Sequence, residues 1–330
     1  MKRKIALIAS GGDAVGINSA ILPLVQHAES VLAFHGGYDG IIHHAPFMLN
    51  ETEVRLAVAS NRNVLRSARS QLAWQPAGRA SIRSRLRELD VDLLLVFGGG
   101  GSLQAARCLQ EEGQPVLLIP MTVDNDIPGL DDTLGFSSAV GVIAQALDQL
   151  HGTAHNMPGR IYLLEAFGAG CGHLALSGAL AGAAHAVLIP EIPPDMHWLQ
   201  QRLRHCLSAP FGYGIVVCAE GVAGSGRVMA GSQGGAVALG QQLEATLDVP
   251  VRYTLPGYCQ RAATPVTADR LLASASGQQA LQLIQQGESG LVIGMARGQT
   301  TCIRLQAIAA GKRQPDPHLV VAARNLQMIN

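Results

Sequence analysis

The chain has 330 residues, 48% hydrophobic and 15% charged, and its 24 basic side chains balance its 24 acidic ones. That length suits two domains or one large α/β unit with an ample core, and a net charge of zero gives no footing for a nucleic-acid or anionic-membrane partner. No apolar run reaches the roughly 20 residues that cross a bilayer, and the run behind Lys2-Arg3-Lys4 is too short for a signal peptide.

Residues 5–9 are the first apolar run of strand length, and Ser10-Gly11-Gly12-Asp13-Ala14-Val15-Gly16-Ile17-Asn18 leads from it into a helical pattern over 16–28. Further strands are predicted over 31–34 and 92–97. The latter ends in Gly98, Gly99, Gly100, Gly101 and Ser102, ahead of a helix over 102–112. A glycine loop between a strand and a helix lets backbone N–H groups crowd around a phosphate. The next strand, 115–119, runs into Thr122-Val123-Asp124-Asn125-Asp126, whose two carboxylates suit a general base and a metal or water ligand. Helices over 137–151, 172–184, 195–206, 232–246 and 266–286 then alternate with strands over 160–165, 186–189, 213–218, 250–254 and 290–295. Such alternation predicts parallel sheets with helices on both faces. Glycine loop and carboxylates at successive strand ends look like a phosphoryl-transfer site.

Lysine occurs only as Lys2, Lys4 and Lys312, so anion chemistry must rest on arginine, histidine and backbone N–H groups. The cysteines, Cys108, Cys171, Cys206, Cys218, Cys259 and Cys302, form no C-x-x-C pair. No zinc site is therefore expected, and a reducing cytoplasm is the natural setting.

SGGDAVGIN at 10–18, GGYDG at 36–40, SAR at 67–69, GGGGS at 98–102 and TVDND at 122–126 follow one another in order. LGF at 134–136, GRI at 159–161, CGHLAL at 171–176, AEG at 219–221 and the pairs Gln260-Arg261 and Asp269-Arg270 continue the series. From about residue 4 to about 277 this series resembles the ATP-dependent 6-phosphofructokinase family. The resemblance implies an α/β fold of two doubly wound, largely parallel-sheet domains, with the active site in the cleft between them. It implies an ATP-binding domain over 1–137 plus 261–307 and a sugar-phosphate domain over 138–260 plus 308–330. It further implies Mg²⁺, ATP as co-substrate, and fructose 6-phosphate or a related ketose phosphate as substrate. A cytoplasmic homotetramer or dimer goes with it, with no nucleic-acid or membrane partner.

Carried over position by position, the resemblance makes Asp124 the base that takes the proton of the sugar 1-hydroxyl. Asp126 would help place Mg²⁺ through water, and Thr122 would touch the transferred phosphoryl. Arg160, Arg252 and Arg261 match ligands of the sugar 6-phosphate, the first two reaching across from a neighbouring subunit; arginine's planar fork binds phosphate oxygens in pairs. Glu220 would accept sugar hydroxyls, with Gly168 in the same substrate site. Tyr258 stands where the family usually has His, keeping a donor but no charge. Gly11, Tyr38, Arg69, Gly100, Gly101 and Ser102 match nucleotide contacts. Gly101 leaves room where pyrophosphate-using members carry Asp, which favours ATP.

Two departures concern catalysis. Gly100 stands where GGDGS would supply a metal-holding Asp, and Ala169, in Phe167-Gly168-Ala169, stands where MGR would supply Arg. A third concerns regulation: Leu22, Gln26 and the lysine-free stretch 208–212 replace the cations of a nucleotide effector site, although Glu191 remains. Asp124 and the arginine set favour a phosphotransferase, weakened by the departures. Gly100 and Ala169 favour a catalytically degenerate homologue that binds sugar phosphate or nucleotide as a sensor or regulatory subunit.

Overall fold

The computed structural model describes residues 3–222 and 235–330. The chain runs β1 (Lys4–Ser10), α1 (Ile17–His27), β2 (Ser30–Ala33), α2 (Gly37–His43), β3 (Phe47–Met48), α3 (Glu51–Ala57), α4 (Pro76–Glu88), β4 (Leu93–Gly98), α5 (Gly100–Glu111) and β5 (Val116–Pro120). It continues with α6 (Phe136–Asn156), β6 (Ile161–Ala166), α7 (His173–Ala181), β7 (Ala186–Leu188), α8 (Met196–Ser208), β8 (Gly214–Ala219), α9 (Gly235–Leu247) and β9 (Val251–Thr254). Then come α10 (Thr267–Gln286), β10 (Leu291–Ala296), β11 (Gln299–Arg304) and α11 (Pro317–Asn325). Each strand expected from the apolar runs is present. The expected helix over 232–246 is described from Gly235 onward, its first residues lying outside the described part.

Two compact units result. The first holds Met1–Thr122, Ile127–Ser138 and Arg261–Gly311; the second holds Val123–Asp126, Ala139–Gln260 and Lys312–Asn330. Three short stretches differ from the boundaries expected from the sequence. Residues 123–126 belong to the second unit, where the Asp126 carbonyl accepts the Arg313 N–H at 2.9 Å. Ser138 stays with the first through Asp269, and 308–311 through the Ile308 carbonyl, which accepts from Arg107 Nη2 at 2.9 Å.

The first unit carries a seven-stranded sheet in the order β11-β10-β5-β4-β1-β2-β3. Its inner pairings are parallel and both edge strands are antiparallel. β4 and β5 are buried at every residue, as strands covered on both faces must be. The chain leaves β1 toward β2 but leaves β4 toward β5, so the loops after β1 and β4 diverge at the reversal, where open α/β sheets bind ligands. The second unit has four parallel strands in the order β7-β8-β6-β9. Its reversal falls between β6 and β8.

Several elements escaped the periodicity. α4 buries only Gly78, Arg79, Ile82 and Leu86, too narrow a stripe to stand out among its arginines. β11 is a polar edge strand, tied to β10 through Arg297 and Gly298 at φ 52° and 72°, the left-handed pair a two-residue hairpin requires. α2, α3 and β3 are short and begin in glycine- or loop-like sequence. Buried Asp269 fastens the start of α6 to α10. Its carboxylate accepts the Gly135 N–H at 3.0 Å, the Ser138 N–H at 2.7 Å and the Ser138 hydroxyl at 2.5 Å. Burial raises the Asp269 carboxyl above its ordinary range, opposed by these hydrogen bonds.

Candidate functional site

The loops at the β1/β4 reversal are held by backbone and short polar side chains. The Gly11 N–H donates to the Ala68 carbonyl at 2.9 Å, and the Ser67 hydroxyl lies 3.2 and 3.3 Å from the Gly11 and Gly12 carbonyls. Buried Asn18 fastens the preceding stretch by donating to the Ala57 and Arg62 carbonyls at 2.8 and 2.6 Å. Together they present exposed Arg69 next to the 10–12 loop. α5 opens at Gly100 with Gly99 as its cap. The N–H groups of its first turn have no carbonyl partner inside the helix, which is the cradle an anion needs.

The four glycines are there for different reasons. A Cβ on Gly98 would lie 2.4 Å from the Ser10 carbonyl oxygen, so no side chain fits. One on Gly99 would lie 3.3 Å from Thr122 Cβ, which puts Thr122 against the loop. One on Gly101 would lie 3.4 Å from the ring of Trp74, and one on Gly100 would meet nothing within 4 Å. Packing therefore does not require glycine at 100.

The hydroxyls of two expected nucleotide contacts are engaged inside the protein. Tyr38 is 1% exposed, and its hydroxyl donates to the Ser102 carbonyl at 2.9 Å. Burial raises its phenol, so it braces the loop from beneath. The Ser102 hydroxyl is committed to the Ser10 carbonyl at 2.7 Å, leaving its backbone N–H for an anion. Arg261, expected on the sugar phosphate, lies beside the nucleotide loop: Nη1 is 3.4 Å from Asp13 Oδ1 and 2.8 Å from where a Gly12 Cβ would stand. Sequence reasoning missed Trp74, 56% exposed in the short 3₁₀ turn Leu72–Trp74. No pattern in the sequence places it by Gly101.

In the second unit, the loop after β6 and the end of β8 come together. Glu220 Oε1 accepts the Gly168 and Ala169 N–H groups at 3.1 and 2.6 Å, and Gln260 Oε1 accepts the Phe167 N–H at 2.8 Å. Tyr258, 65% exposed, meets the Phe167 ring edge-on at 5.6 Å. Gly168 has φ 140°, and a Cβ there would lie 2.3 Å from the Cys171 carbonyl oxygen. Ala169 is exposed at φ 53°. Glu165, at the end of β6, was not foreseen. Burial raises its carboxyl, while the Ala236 N–H at 3.3 Å lowers it and Glu220 raises it further. Asp124 is half-buried in its turn, and Asp126 Oδ2 stands 3.9 Å from the Lys312 ammonium.

Arg160 and Arg252 lie at the other end of the same sheet. Arg160 precedes β6, and Arg252 pairs with Tyr162. Glu220 follows β8, which runs in register with β6 from Ile161↔Gly214 to Ala166↔Ala219. At about 3.3 Å per residue, roughly 20 Å of strand separates these arginines from Glu220 and Gly168. One chain does not bring them into one pocket.

The profile of the family described as Phosphofructokinase matches residues 4–284. An ATP-dependent 6-phosphofructokinase of Natranaerobius thermophilus is 30% identical over 99% of this chain and 100% of its own length. One of Bacillus subtilis is 34% identical over 89% of each chain. Among solved structures, a pyrophosphate-dependent phosphofructokinase from Nitrosospira multiformis superposes with a TM-score of 0.86 over 100% of this chain and 92% of its own, at 20% identity, a likeness of fold alone.

Proposed function

Because this chain belongs to the phosphofructokinase family, we propose that it binds ATP on the first unit's glycine loops and a ketose phosphate on the second unit. It transfers the γ-phosphoryl slowly. The observation that carries this reading is the head of α5, where the first-turn backbone N–H groups stand beside open space at Gly100. Asp124 takes the proton of the attacking sugar hydroxyl, and Thr122, against Gly99, borders the transferred group. Glu220 holds the 168–169 loop through Oε1, which supports a sugar site there. Arg69, and Arg261 beside Gly12, put cationic charge by the phosphates.

The family implies Mg²⁺, and the residues present do not fit it well. The α5 head supplies no carboxylate, and Asp126 already faces the Lys312 ammonium at 3.9 Å. Transfer here rests on positioning by backbone and arginine, which is why turnover is slow. The second reading, a sensor that binds without catalysing, is favoured by Gly100, where packing leaves room for a side chain that the sequence does not supply. A coupled ADP-release assay with ATP and a panel of ketose phosphates separates the two: the first requires slow, Asp124-dependent turnover, the second none at all.

Calorimetry tests the sugar site directly. Fructose 6-phosphate or a related ketose phosphate should bind, and Arg252→Ala should weaken it by about 10- to 100-fold, the worth of one charge-assisted bond. No heat with any sugar phosphate at about millimolar concentration, near the weak end of useful affinities, would sink the sugar site.

The separation of Arg160 and Arg252 from Glu220 supports a homotetramer or dimer, in which a second copy brings its arginines to the first. Isologous contacts of that kind close by two-fold symmetry. Light scattering should give a dimer or tetramer; a monomer at micromolar concentration contradicts the shared pocket.

A further inference from the structure

Cys171, His173 and Glu191 each offer a ligand atom, all within 4.8 Å of one another. Cys171 lies just before α7, which His173 opens, and Glu191 follows β7 in the same unit. Cys171 is 1% and His173 4% exposed. His173 Nε2 lies 3.1 Å from the Arg313 carbonyl oxygen, so a neutral ring donates there and keeps its lone pair on Nδ1. Glu191 Oε1 accepts the Gly172 N–H at 2.9 Å, while its Oε2 is buried with no hydrogen-bond partner. A buried carboxylate oxygen left so is costly unless a cation meets it.

We propose that Cys171 Sγ, His173 Nδ1 and Glu191 Oε2 bind one transition-metal dication of the zinc class, with a fourth position open to water. The sulfur, nitrogen and oxygen donors suit zinc and exclude magnesium, which takes oxygen alone. The bond from His173 to a backbone carbonyl orients the ring as metal-bound histidines are oriented. Binding replaces the Cys171 S–H bond by an S–metal bond, and the proton leaves to solvent. The Lys312 ammonium, whose charge favours the Cys171 thiolate, also stands 3.9 Å from Asp126. The ion would staple the head of α7 to the segment after β7. The absence of a C-x-x-C pair had argued against zinc. This constellation instead uses a single C-x-H pair and a carboxylate distant in sequence.

The test titrates the chelator-treated full chain with zinc against a chromophoric chelator, and separately with cobalt. About one equivalent per chain should bind, and cobalt should show a near-ultraviolet thiolate charge-transfer band. Cys171→Ser should abolish that band. His173→Gln and Glu191→Gln should each weaken zinc binding by about 100-fold or more, beyond what outer-shell changes usually cost. Cys259→Ser, which removes an exposed thiol, should change neither. Thermal unfolding without metal identifies any variant that fails to fold, and the conservative Glu191→Gln keeps the Gly172 bond. Failure to retain a stoichiometric ion, a cobalt spectrum without the thiolate band, or affinity indifferent to Cys171→Ser overturns the site. None of these readouts involves nucleotide or sugar.

Discussion

Gly100→Asp combined with Ala169→Arg should raise ATP-dependent turnover of the ketose phosphate by about 10³-fold, the range that one transition-state cation supplies in phosphoryl transfer. Both changes are open to the fold. A side chain at Gly100 meets nothing within 4 Å, and Asp in the first turn of α5 is favoured by the helix dipole by about 0.3–1 kcal/mol. Ala169 is exposed and already holds φ 53° with a Cβ, so Arg adds no new backbone strain. Gly100→Asp alone should tighten the use of Mg²⁺–ATP. Ala169→Arg alone should raise turnover by about 10²-fold with little change in ATP affinity. On the proposed transfer reaction, the pair should exceed either change alone. Asp124→Asn in the doubly changed chain should then cost about 10²- to 10⁴-fold, as loss of a general base does. ADP release measures all four variants and the unaltered chain. If the unaltered chain already turns over at about 10 s⁻¹, an ordinary enzyme rate, the slow-transfer reading is wrong.

Asp269→Ala should cost about 3–5 kcal/mol of stability. It removes the acceptor for the Gly135 and Ser138 N–H groups and the Ser138 hydroxyl, and each buried donor left unpaired costs about 1–3 kcal/mol. In a unit of this size that should lower Tm by roughly 10 °C. Asp269→Asn should cost less, since one amide oxygen still accepts. Differential scanning calorimetry decides; a drop of less than about 2 °C, under 1 kcal/mol by the same scaling, would show that the α6 start is held elsewhere.

The parallel strands were readable because strands covered on both faces are apolar throughout, as 93–97 and 116–119 are. β11 and α4 were not, because an edge strand and an arginine-rich helix bury too little to leave a period. The glycine loop and the Asp124 turn stood in the sequence by themselves, since those are matters of residue type and spacing, whereas the departures at 100 and 169 were visible only against the family pattern the sequence resembles. Which glycines are sterically required was not legible: Gly98 and Gly100 look alike until the Ser10 carbonyl is seen 2.4 Å from one and nothing within 4 Å of the other. Only the fold could turn Tyr38 inward onto the Ser102 carbonyl, or separate Arg160 from Glu220 along the length of β6. Only the fold could bring Glu191 to Cys171 and His173. The sequence by itself determined which chemical groups are available and the local elements that carry them, because propensity and periodicity act over a few residues. The tertiary structure decided which groups meet, because contacts between distant residues depend on strand order and register, which no local pattern encodes.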